Sequence, residues 1–167
     1  FMLAFISTVI LPALVEEFAC RGLMLGLLKK YGEAFAIIAS SLLFGLMHGN
    51  FEQIPFAFLV GLILAYITIK TGTLWVSVAI HAFNNFVSVA FNYLPKSIPE
   101  DIQNALYIIL LTVLMVLGLI SIILLNKNKQ SFEIEKSETE ATESQKIKWF
   151  FSSAAIVIFI IISFIEA

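Results

Sequence analysis

Six runs of apolar residues separated by charged connections constrain this chain more than any other feature. They cover residues 1–28, 34–48, 55–69, 74–94, 102–125 and 149–165. Each lies near the roughly 17 to 25 residues needed to cross hydrocarbon, the second and third being short. Apolar residues make up 60% of the 167 and charged residues only 13%, whereas soluble domains run nearer about 25% charged. A core of this size cannot hide so much apolar surface, so lipid must cover the remainder. The expected fold is all-α, a polytopic membrane bundle of about six helices.

Three regions follow: a helical domain over 1–125, a polar linker over 126–148, and an additional C-terminal membrane segment over 149–167. The linker holds five Lys and five Glu with many Ser and Thr, and reads as solvated and disordered. Pro12 sits inside the first run, where loss of one backbone hydrogen bond predicts a kink. Trp75, Tyr93 and Trp149 fall near run ends, at headgroup depth.

Lys and Arg counts in alternate connections set the orientation. Lys29, Lys30, Lys70, Lys127, Lys129, Lys136, Lys146 and Lys148 fall on one side, and Lys96 alone on the other. The Lys-rich connections are therefore expected to be cytoplasmic, with Ala167 outside. The formal net charge of −2 gives no sign of a nucleic-acid surface. The single cysteine, Cys20, excludes an intramolecular disulfide.

Glu16, Glu17, Arg21, His48 and His81 lie within or at the edge of these runs, where a charged side chain costs about 2.5 to 3.5 kcal/mol. Glu17 and Arg21 are four apart on one helix face and can pair. Glu16 points about 100° away and is left to face something else. At 1.5 Å per residue from the Lys-rich edge, Glu16 lies about 20 Å deep, His48 about 22 Å, His81 about 16 Å and Asn85 about 22 Å. A carboxylate, two imidazoles and an amide from three helices thus reach a similar level.

Such a set suits hydrolysis. Glu16 can take a proton from water, His48 can help hold that water, and His81 and Asn85 can donate to an oxyanion. Glu16, His48 and His81 also form a ligand set for zinc with an open position for water. Other readings stand beside these. A histidine in a membrane helix often serves packing, Asn84 competes with Asn85, and Glu17 with Arg21 reads better as a structural ion pair than as a catalytic element. Gly22 and Gly26 form a G-x-x-x-G pattern that marks a close helix contact or arises by chance. Cys20 has no base placed for it and reads as an inert thiol.

The residues 16–21, Glu-Glu-Phe-Ala-Cys-Arg, match E-E-x-x-x-R; Phe44 to His48 match F-x-x-x-H; His81 to Asn85 match H-x-x-x-N. In this order on successive helices they resemble the CPBP family of intramembrane proteases, also called the CAAX protease and bacteriocin-processing or Abi family. The resemblance implies proteolysis of a membrane-associated or lipidated peptide, as in the CAAX endopeptidase that removes the last three residues from prenylated proteins. It implies water activation by Glu16 and His48 and oxyanion stabilisation by His81 and Asn85, with Glu17 and Arg21 supporting. Family descriptions call these enzymes metalloproteases, while the water-activation account needs no metal. Bacterial members are linked to bacteriocin maturation and self-immunity, which implies a bacterial cell membrane. Further helices precede the first motif in that family, so upstream helices are expected to be missing here.

Other protease chemistries fit poorly: there is no H-E-x-x-H, no paired intramembrane Asp and no Gly-flanked Ser. Two different functions compete with hydrolysis. A proton-coupled transporter also uses buried Glu, His and Arg, and a non-catalytic immunity or binding protein would need none of their chemistry.

Overall fold

The computed structural model describes residues 2–93, 95, 97–127 and 139–165, all of them in helices, turns and loops with no strand among them. Lys96, Lys129, Lys136 and Ala167, on which part of the orientation argument rests, lie outside the described residues. Two compact units divide the chain, 1–83 with 134–167, and 84–133.

Helix α1 (2–28) is continuous but changes its winding. The pieces Met2–Phe5, Leu11–Glu17 and Leu25–Leu28 are α-helical, while Ile6–Ile10 and Phe18–Met24 are π-helical. Pro12 explains the first wide stretch. Its ring crowds the carbonyl four residues back and it has no N–H to donate. The chain answers by widening, with the Leu11 N–H donating to the Ile6 carbonyl five residues back. The kink anticipated at Pro12 is thus met by a change of winding just before it.

A tight turn over Lys29–Tyr31 ends at Gly32, whose φ of 105° is open only to a residue without a Cβ. Helix α2 (Glu33–Leu46) follows, then α3 (Gln53–Thr71), closed by the left-handed Gly72 at φ 67°. Helix α4 is Trp75–Asn92 and α5 is Glu100–Lys127, with Glu100 and Asp101 in its first turn, where the helix dipole favours acids. Helix α6 (Glu143–Ser152) opens on a reciprocal cap between Thr142 and Gln145, and α7 is Ala154–Ile165.

In the first unit, α2 and α3 approach most closely at two glycines. A Cβ on Gly45 would lie 3.1 Å from the Ile54 carbonyl, and one on Gly61 would lie 3.1 Å from Ser41 Cβ and 3.2 Å from Phe44 Cδ1. The G-x-x-x-G pattern of α1 plays no comparable part: Gly26 has nothing within 4 Å of such a Cβ, and Gly22 meets only ordinary contacts. In the second unit, the Phe91 and Tyr107 rings meet edge-on at 5.1 Å, and Gln103 donates to the Ile98 carbonyl.

Many large apolar side chains face outward, among them Leu11, Leu23, Leu27, Ile63 and Trp75, each more than half exposed. By length and composition α3 is apolar and long enough to cross a membrane, and a second crossing counts if the α6–α7 pair is taken as one span bent by 64°. One or two helices among the described residues therefore meet a test that six sequence runs were expected to meet. Two of the runs read through helix ends. The 34–48 run is helical only to Leu46, and 14 residues rise about 21 Å against a hydrocarbon core of about 30 Å. The last run likewise breaks at Ser153, which is extended at φ −64°, ψ 124°. The expected linker over 126–148 is in part helical, since α6 begins at Glu143, while residues 128–138 lie outside the described set.

Candidate active site

The polar centre is assembled on α1, where the second wide stretch starts directly after Glu17 and carries Arg21. Wide turns of this kind occur often at functional sites. Arg21 Nη1 donates to Glu17 Oε1 at 3.0 Å, both side chains fully buried. Its other terminal nitrogen, Nη2, donates to the Gly61 carbonyl on α3 at 3.1 Å. The guanidinium also lies over the Phe44 ring of α2, 4.3 Å from its centroid. A planar fork with several donors and a flat face makes these three contacts at once, which an ammonium cannot do. Gly61 takes part through its missing side chain, because a Cβ there would strike Phe44 and Ser41.

Glu17 does more than pair with Arg21. Its Oε1 also accepts from His81 Nδ1 at 2.9 Å, across 64 residues of sequence, with the His81 side chain 4% exposed. That bond turns the other ring nitrogen, Nε2, toward Glu16, whose Oε2 lies 3.8 Å away. Glu16 is the more open carboxylate, its side chain 24% exposed against 0% for Glu17. Among the described residues, Glu16 Oε2, Glu17 Oε2 and Arg21 Nε are buried with no hydrogen-bond partner. Buried polar atoms are rarely left so, and Glu16 Oε2 keeps its capacity to accept a proton or a hydrogen bond.

His48 stands just beyond the C-terminal end of α2, half-buried. Its Nδ1 lies 2.8 Å from the Phe44 carbonyl and donates to it, leaving Nε2 as the ring's acceptor. Phe44 connects the two imidazoles: its ring meets His48 edge-on at 5.0 Å and His81 edge-on at 5.4 Å. Glu16, Glu17, Arg21 and His81 are thus in direct contact, and His48 joins them through one phenyl ring. Asn85 lies one turn beyond His81 on α4, past Phe83, where the first unit ends.

The donor set expected for zinc was Glu16, His48 and His81. Among the described residues no three His, Cys, Asp or Glu side chains are arranged to hold a metal ion. Glu16, His48 and His81 are not assembled as a ligand cage. Cys20 is fully buried, its thiol 3.7 Å from Met47 Sδ, in keeping with an inert group.

Three contributors escaped the sequence reading: the hydrogen bond from His81 to Glu17, the Gly61 carbonyl, and the Phe44 ring as a platform for Arg21. The spacing of the first motif satisfied Glu17 with Arg21 alone, so nothing pointed to a second partner. Phe44 did carry a signal, one turn before His48.

Residues 1–87, just over half of the chain, match the family described as type II CAAX prenyl endopeptidase Rce1-like. Neither the curated proteins nor the solved structures gave a match. The matched stretch contains the whole of the E-E-x-x-x-R, F-x-x-x-H and H-x-x-x-N motifs and every residue of the buried centre. The chain belongs to the type II CAAX prenyl endopeptidase Rce1-like family, which makes it a protease of the membrane.

Proposed function

We propose that this chain is an intramembrane endopeptidase in which Glu16 takes the proton from an attacking water, and that its substrate is a membrane-associated or lipidated peptide. The observation that carries this reading is the split between two adjacent carboxylates. Each has one buried oxygen without a hydrogen-bond partner, but Glu17 is fully buried with Oε1 engaged by Arg21 and His81, whereas the Glu16 side chain is 24% exposed. A general base needs such access, because it must lie within hydrogen-bond reach of the proton it removes.

The other roles follow from the ring nitrogens. His48 commits Nδ1 to the Phe44 carbonyl, so Nε2 accepts from the water and orients it. The water oxygen bonds to the scissile carbonyl carbon as its proton passes to Glu16. The carbonyl oxygen becomes an oxyanion and takes hydrogen bonds from His81 and Asn85. Collapse breaks the C–N bond, and the proton held by Glu16 goes to the leaving amine. Glu17 fixes the His81 ring from its Nδ1 side, in the manner of a carboxylate that orients a catalytic imidazole. Because Nδ1 is committed to Glu17, the donor that His81 offers to the oxyanion is its Nε2–H.

The proposal includes the multi-pass arrangement of about six segments with the Lys-rich end cytoplasmic. Lys29 and Lys70 gathering on Glu33 supports it, since that puts the α1 end and the α3 end on one side. The test is cleavage of peptides by purified protein in liposomes. Activity is expected in the wild type and lost in Glu16→Ala and His48→Ala, and activity surviving either substitution overturns the reading. Elemental analysis of wild type against His48→Ala tests the zinc expectation: stoichiometric zinc lost in the variant supports ligation, and active enzyme without metal rules it out.

A further inference from the structure

We infer that the cleft between the C-terminal helices and the α1–α2 pair binds one anionic phospholipid, its phosphate on Lys146 and its acyl chain in the apolar cavity beside it. The cavity encloses about 300 Å³ between Met24 and Leu28 of α1, Phe35 and Leu43 of α2, and Trp149 and Ile156 of the C-terminal pair. That volume falls at the lower end of the roughly 300 to 1,000 Å³ that ligand sites occupy. From Phe35 to Leu43 the wall runs about 12 Å along α2, the shape of a chain and not of a compact metabolite. Phe150 closes one side, packed edge-on against Phe35 at 6.0 Å and over Ala39 and Leu43.

One charged group lines this apolar space. The Lys146 side chain is 2% exposed, and among the described residues its anionic partner is Glu143, at 2.7 Å. Glu143 is 72% exposed, so the partner of a buried ammonium stands almost wholly in water. A buried charge is costly unless well paired, and an exposed carboxylate is a screened and easily displaced partner. The ammonium carries three donors, of which Glu143 takes one. A lipid phosphate offers a doubly accepting anion that reaches Lys146 from the side where Glu143 now sits.

The surroundings favour an anion at that end. Lys30 Nζ lies 5.1 Å over the ring of Tyr31, itself part of the cavity wall, and Lys29 is two residues before that ring. Tyr31 and Trp149 are the ring types that settle at headgroup level. Basic pockets between membrane helices take anionic headgroups for the same electrostatic reason. Lys146 lies outside the stretch that matches the protease family, and none of Glu16, Glu17, Arg21, His48 and His81 lines the cavity.

Native mass spectrometry of the full chain, released from micelles containing phosphatidylglycerol or phosphatidylcholine, tests the assignment without any need for catalysis. The wild type is expected to retain one phosphatidylglycerol, in preference to phosphatidylcholine by about fivefold, the effect of one basic residue near an anionic lipid surface. Lys146→Gln should erase the preference, and Glu143→Gln should strengthen retention by removing the competing carboxylate. Ser153→Trp, which fills the cavity, should lower retention of both lipids, while Lys148→Gln, an exposed lysine on the same helix, should change nothing. Equal retention of both lipids, or equal losses in Lys146→Gln and Lys148→Gln, overturns the proposal. So does displacement of the lipid by a prenylated peptide, which would give the cavity to the substrate. Should Lys146→Gln fail to fold, the Glu143→Gln arm decides: a gain supports the site and an unchanged signal refutes it.

Discussion

Two buried carboxylates in the first unit each gather nitrogen partners, and it is those partners that lie in opposite surroundings. Glu17 meets Arg21 at 3.0 Å and His81 at 2.9 Å, with all three side chains at most 4% exposed. Glu33 meets Lys29 at 3.3 Å and Lys70 at 3.9 Å, and those lysines are 45% and 35% exposed. Glu33 itself is only 4% exposed, so water screens the second cluster from the lysine side alone and the first not at all, and similar pairings carry different weights. Around Glu33 they tie helix ends together. Around Glu17 they hold a histidine at a fixed angle inside the bundle, where a misplaced charge has no solvent to retreat to. The comparison teaches that the chemistry sits where charge is costly and the orientation signal where it is cheap.

The largest expected effect separates Glu16 from its neighbour. Glu16→Gln should reduce peptide cleavage about 10² to 10⁴-fold, the range for a general base, while leaving the melting temperature in detergent unchanged. Unaltered cleavage in that variant would remove Glu16 from the reaction. Glu17→Ala should act through structure as well, destabilising the protein by about 3 to 5 kcal/mol because Arg21 is left buried and unpaired. Adding Arg21→Met should recover part of that loss; a double variant no more stable than Glu17→Ala would show that the two side chains are not coupled.

Next comes the floor under the centre. Gly61→Val should cost about 1 to 3 kcal/mol, since the added carbons meet Ser41 and Phe44 at distances that force one helix to move. Gly26→Ala should be neutral or stabilising by about 0.4 to 1 kcal/mol, because nothing crowds that position. Equal and large losses in the two glycine variants would restore the α1 pattern as a close contact. A smaller effect than that of Glu17→Ala belongs to Glu33→Gln, since both lysine partners can turn to water, and it should shrink as salt is raised. A loss as large as that of Glu17→Ala would break the comparison altogether.

Much of the site was legible because charge inside an apolar run has few explanations. Glu16, Glu17, Arg21, His48 and His81 stood out against hydropathy, and helix rise placed Glu16 and His81 at neighbouring depths before any contact was known. The Glu17–Arg21 pair was legible too, since spacing of four residues is a local property of a helix. The span count was less legible. Hydropathy has no sense of where backbone hydrogen bonding stops, so the 34–48 and 149–165 runs looked continuous across Leu46 and Ser153.

By itself the sequence determined the helical class, the need for lipid around it, the family, and which side chains were too costly to be accidental. Each of these depends on composition or on neighbours within a few residues. Only the tertiary structure decided that Glu17 holds His81, that a glycine carbonyl on α3 satisfies Arg21, and that Phe44 lies against the guanidinium and both imidazoles. Apart from the Phe44–His48 ring contact within one turn, those contacts join residues 23 to 64 positions apart. Their geometry is set by how closely four helices pack and by how α1 is wound on either side of Glu17, and no local pattern encodes either.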